Sequence, residues 1–174
     1  MALTSLASEF KLRLTPPERA FLLSLEAIDE ARFDNELSHI KTNGQSVTLA
    51  AYAADGDACP FTLVLGRGEH DGRISFYIGA GVEIIDWEHV ADPEAVVWMA
   101  RDLDDFFRSK VRCDRAFVDQ KPVDERYWVA RYADRSTRPL RYRHEFVWPW
   151  TRRVVETRNY QPWVESPSMD EARC

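Results

Sequence analysis

The sequence predicts an α+β fold, a largely antiparallel β-sheet of about seven strands with two main helices packed on it. Three observations predict it. Two segments open with a helix-capping residue followed by proline and continue as an apolar stripe at helical spacing. Several short runs alternate apolar and polar residues with period two. These runs follow one another across short turns instead of alternating with helices, which argues for a meander and against a parallel βαβ sheet.

The first helix is expected from Thr15-Pro16-Pro17-Glu18, which reads as a capping box with proline at the first helical position. Phe21, Leu25 and Ile28 form its apolar stripe, which resumes one residue out of phase at Phe33, Leu37 and Ile40. The phase slip requires a bend near Ala31 or two helices, and Asn43-Gly44 reads as the stop. Strands are expected over 47–53, 61–65, 73–78 and 82–87, with Ile74, Phe76 and Ile78 on one face of the third. Asp92-Pro93-Glu94 opens the second helix, with Val96, Ala100, Leu103 and Phe107 as its buried stripe and an end near Ser109-Lys110. Further strands are expected over 112–118, 127–133, 140–148 and 151–158. In the third of these, Leu140, Tyr142, His144, Phe146 and Trp148 share one face, opposite Arg141, Arg143 and Glu145.

A chain of 174 residues matches one domain of about 150 residues. Residues 1–165 are expected to form it, and the polar, proline-containing segment 166–174 to fray. Six Trp and an aromatic content of 12% exclude a disordered chain, which lacks that apolar content. Met1 to Phe10 has no basic region followed by an apolar run, and no stretch approaches about 18 apolar residues, so neither a secretory signal nor a membrane span is expected. Cys59, Cys113 and Cys174 are odd in number and far apart, which fits reduced thiols in a cytoplasmic protein and neither a disulfide framework nor a zinc site. No metal or other cofactor is expected. The net charge of −6 is unevenly placed: residues 1–107 carry 8 basic and 19 acidic side chains, residues 108–174 carry 15 and 10.

Four features could carry chemistry. Glu83, Asp86, Glu88 and His89 bring three carboxylates and an imidazole within seven residues, enough for a divalent cation or an acid/base pair. On a strand, however, Glu83 and Asp86 point to opposite faces, which favours a solvated strand end. His144 sits on an apolar strand face, where a core role is expected, and Cys113 forms no nucleophile signature with it. Gly79-Ala80-Gly81 and Gly66-Arg67-Gly68 lack the helix that a phosphate-cradling loop leads into, and read as turns or bulges. Finally, Arg126, Arg131, Arg141, Arg143, Arg152, Arg153 and Arg158 interleave with Tyr127, Trp128, Tyr132, Tyr142, Trp148, Trp150, Tyr160 and Trp163. Such a stretch serves as a core with a wet face, as a protein-binding surface or as a stacking platform for single-stranded nucleic acid.

The expected function is a small acidic cytoplasmic protein-binding module, with Asp86, Glu88, Asp102, Asp104 and Asp105 as the residues that meet the partner. In size, acidity and helix and strand content the chain is similar to the immunity proteins that neutralise antibacterial toxins, which implies an inhibitor of a partner protein. Two other readings compete. One is a small-molecule enzyme built on the carboxylate and histidine residues. The other is a nucleic-acid binder using the Arg/aromatic third, against which the net acidity counts.

Overall fold

The computed structural model describes residues 9–10, 12–21, 25, 27–70, 73–79, 82–87, 93–130, 137–143 and 146–164. It is an α+β arrangement dominated by antiparallel sheet, and the β part is divided between two sheets. The first is a five-stranded meander of β1 (His39–Thr42), β2 (Ser46–Ala51), β3 (Phe61–Gly66), β4 (Ile74–Ile78) and β5 (Val82–Trp87), in chain order. The second contains β6 (Val111–Val118), β7 (Lys121–Ala130), β8 (Thr137–Arg143) and β9 (Val154–Tyr160), in the order β8-β7-β6-β9. Helix α1 (Pro16–Phe21) precedes the first sheet and helix α2 (Pro93–Phe107) connects the two. Among the described residues no helix is long and apolar enough to cross a membrane.

The expected first helix is the main correction. The Glu18 half of its capping box forms, with the Thr15 N–H donating to Glu18 Oε2 at 2.8 Å, and the helix described there is the six-residue α1. Glu18 is buried and takes two bonds from Arg67, Nη1 to Oε1 at 2.6 Å and Nη2 to Oε2 at 3.0 Å, which ties the capping carboxylate to the end of β3. Further along, aspartates satisfy the backbone locally. Asp29 accepts from the Ala31 N–H and caps a short 3-10 turn, and Asp34 Oδ1 accepts from Glu36 and Leu37. Such bonds compete with helix propagation. Phe33 is buried and bridges Ala53, Leu37 is 56% exposed, and Ile40 lies in β1. Asn43-Gly44 is therefore a hairpin turn and not a helix stop: Asn43 Oδ1 accepts from Gln45 and Ser46, and Thr42 pairs with Val47.

The core gathers on one face of each sheet. Leu103, Phe106 and Phe107 of α2 are buried and meet Phe61 and Phe76, with Phe61–Phe107 and Phe76–Phe106 ring centroids each 5.1 Å apart. Trp163 packs edge-on to Phe61 at 5.2 Å and donates its indole N–H to Cys59 O at 2.8 Å. The two sheets touch at both sides of the second sheet. β8 contacts β5, and Gln161, just past β9, bridges Ala58 in the connection between β2 and β3. One hydrophobic cluster includes residues of both sheets and of α2.

The strand expected over 140–148 is also corrected. β8 ends at Arg143, and Phe146 and Trp148 are 68% and 58% exposed, so they do not share a core face. The β6–β7 hairpin is longer than its sequence suggests. Asp119 and Gln120, with φ of 49° and 65°, form a two-residue tip, and β7 starts immediately after it despite Pro122, which sits at a register shift.

Candidate interaction surface

The segment between β8 and β9 places aromatic side chains on the surface. Trp148-Pro149-Trp150-Thr151 is a β-turn closed by the Thr151 N–H donating to Trp148 O at 3.0 Å. Pro149 sits at the second position, where its fixed φ suits the turn. Arg153 Nη2 donates to Val147 O at 3.3 Å and pins the segment from the other side. Trp148 and Trp150 stack at 5.0 Å with 18° between their planes, and Phe146 meets Trp148 edge-on at 5.4 Å. Trp150 is 77% exposed, and Val154 and Val155 at the start of β9 are 59% exposed.

Two hollows flank the β6–β7 tip. One, of about 340 Å³, lies between Val118, Lys121, Val123, Phe146, Val147 and Trp148. The other, of about 470 Å³, lies between Phe117, Asp119, Gln120, Arg152, Val154 and Glu156. Asp119 lines both. Its left-handed backbone, like that of Gln120, is unusual for residues with a side chain, and the pair aims the tip between the hollows.

A second polar cluster lies inside. Tyr127 Oη donates to Glu125 Oε2 at 2.6 Å, and Arg115 Nε lies 2.5 Å from Glu125 Oε1 without the alignment of a hydrogen bond. Tyr127 and Glu125 are almost fully buried, and Cys113 is buried beside them. Burial first, then the carboxylate bond, holds the Tyr127 phenol well above its ordinary value. Burial likewise raises both the Cys59 and Cys113 thiols. Both are unpaired, and raised, buried thiols are poor nucleophiles, so this cluster is built for cohesion. Replacing Tyr127 by Phe is expected to cost about 2 kcal/mol, because it deprives a buried carboxylate of a donor. Urea unfolding followed by Trp fluorescence measures that loss.

The residues singled out from sequence fall differently. Glu83 and Asp86 lie in β5, paired with Tyr77 and Ser75, but their side chains are outside the described residues. Glu88, His89 and His144 are wholly outside them. Asp102, Asp104 and Asp105 lie on α2 and are half-buried. Asp104 takes Arg108 Nε at 3.0 Å, and the Asp105 carbonyl takes the Ser109 hydroxyl. Gly79 and Gly68 occupy left-handed turn positions. Among the described residues no three His, Cys, Asp or Glu side chains are grouped to hold a metal ion.

The Arg/aromatic third divides between core and surface. Tyr127, Tyr160 and Trp163 are core, while Trp148 and Trp150 are surface. Trp128 is half-buried under the Arg112 guanidinium, 5.0 Å from its ring. Arg131 and Tyr132 lie outside the described residues, as do the side chains of Arg141, Tyr142 and Arg143. The outward display of Phe146 was not read from sequence, although the Trp-Pro-Trp turn was there to signal it. The chain matches no protein-family model, no curated protein and no solved structure.

Proposed function

We propose that the chain is a protein-binding module that docks through the Phe146, Trp148 and Trp150 ladder. The observation that carries this reading is the concentration of three mutually packed aromatic rings, each more than half exposed, within five residues. Scattered surface apolar residues need no explanation, but a contiguous set of aromatic rings does. Trp is among the residues that dominate binding energy, and rings held by each other and by a proline turn lose little freedom on docking.

The surface differs from the acidic one expected on Asp86, Glu88, Asp102, Asp104 and Asp105. Those residues keep a role as a field that steers a basic partner toward an acidic chain. An inhibitor that occludes a partner's site, acting in a reducing compartment such as the cytoplasm, fits two buried free thiols and an exposed aromatic face.

The test is affinity capture from nuclease-treated lysate with the wild type and with Trp148→Ala/Trp150→Ala, followed by titration of the captured protein against both. Loss of at least about 2 kcal/mol of affinity is expected in the variant. Its urea midpoint should shift little, because both rings are exposed in the free chain. Equal affinity of both proteins for the partner would remove the ladder as the docking surface.

A further inference from the structure

We propose that β9 pairs antiparallel with β9 of a second copy about a two-fold axis at Thr157. This goes beyond the partner reading and does not depend on it. β9 is hydrogen-bonded to β6 on one side only. Past its end, the Gln161 N–H donates to Asp57 O at 2.7 Å, on the side away from β6. Backbone groups alternate sides along an extended chain, so those of Val155, Thr157 and Asn159 face the same free side. Among the described residues no strand pairs with that edge, and residues 154–159 are all exposed. An open edge of this kind is a template for another strand.

The sequence of β9 says which strand fits. Pairing about Thr157 sets Glu156 opposite Arg158 of the second copy, and symmetry repeats the pair. Val155 then faces Asn159, and Thr157 faces itself. Sliding the axis to Glu156 would set two carboxylates face to face, and sliding it to Arg158 would oppose two guanidiniums. Opposite charges across a strand pair attract and like charges repel, so the charges select one register. Among the described residues the Glu156 carboxylate makes no ion pair or side-chain hydrogen bond within the chain. Arg158 is already oriented, lying 4.9 Å over the Tyr160 ring and donating to Gly56 O. The product is one continuous sheet with four strands from each copy.

Sedimentation velocity of the full chain over a concentration series tests the proposal. The wild type should dimerise as concentration rises. Glu156→Arg and Arg158→Glu should each weaken dimerisation about tenfold or more, since each turns two attractive pairs into repulsive ones. Mixing the two variants in equal amounts should restore the dimer, because two arginines of one copy then face two glutamates of the other. Circular dichroism melting verifies that each variant folds. As Arg158 also holds Gly56, the register is read separately by Thr157→Cys in a Cys174→Ser background. Facing Cα atoms about 5 Å apart permit a disulfide across the axis, so oxidation should link the copies. Val155→Cys in the same background should not link, because it faces Asn159. A wild type that stays monomeric at every concentration, a dimer indifferent to Glu156→Arg, or equal linking at positions 155 and 157 would each overturn the proposal.

Discussion

Gly79→Ala is expected to destabilise the protein by about 3 kcal/mol or more, a large share of the roughly 5–15 kcal/mol that keeps an ordinary domain folded. Two effects add. A β-carbon at position 79 would lie 2.0 Å from Tyr127 Oη and 2.3 Å from its Cζ, far inside contact distance. The backbone there has φ of +57°, a conformation that alanine adopts only with strain. Tyr127 cannot swing aside cheaply, because it is fully buried and bonded to Glu125. The glycine thus lets β4's turn lie against the second sheet. Thermal and urea unfolding of Gly79→Ala, alone and with Tyr127→Ala, measure this. The double variant should relieve the clash and leave the cost of a cavity, so the two substitutions should be clearly non-additive. A Gly79→Ala protein with wild-type stability would refute the close approach.

Stability is expected to fall steeply as the pH rises above about 9, the ordinary range of thiol ionisation. Burial pushes the Tyr160 phenol from its ordinary 10.0 up to about 12, and raises the phenol of Tyr127 and the thiols of Cys59 and Cys113. Each group is neutral when protonated, so a raised value means that the folded chain holds its proton where the unfolded chain has released it. The stabilising contribution is complete below the unfolded value and is lost as the pH climbs from that value through the folded one. For Tyr160 that window runs from about 10 to about 12, and the shift is worth about 3 kcal/mol when fully expressed. Urea midpoints measured from pH 7 to 11 should decline, with a shallower slope for Tyr127→Phe than for the wild type. A flat profile across that range would contradict burial of these groups.

Local signals were legible where the chain itself carried them. The capping proline and 3.6-residue stripe marked α2, and the alternation of Ile74, Phe76 and Ile78 marked β4. Errors arose where one local signal had two readings. Asn43-Gly44 serves a helix end as well as a hairpin, and the choice turned on Asp29 and Asp34, whose side chains bind their own backbone. The alternation from Leu140 to Trp148 looked like a core strand, yet the core has no place for its last two aromatic residues. Lys121-Pro122 disguised the start of β7, because a proline inside a strand needs a register shift that sequence does not announce.

The candidate site was only partly legible for a related reason. Exposure is decided by what lies opposite. Tyr127 and Trp148 are similar residues in similar company, and the approach of the turn at Gly79 to Tyr127 has no counterpart at Trp148 among the described residues. Likewise the pairing of Glu18 with Arg67 joins positions 49 residues apart, which no periodicity connects.

The link from Trp163 to Cys59 spans 104 residues, and Gln161 closes onto Ala58 beside it. A chain emerging from the ribosome completes its first sheet long before these residues exist. Until they arrive, Phe61 lacks the indole that covers it in the finished protein. β6 likewise lacks β9, its partner across about 40 residues of chain. Folding therefore waits on residues 154–163, and such distant closure is slow. During that interval the exposed core of the first sheet is the part of the nascent chain that a chaperone would hold.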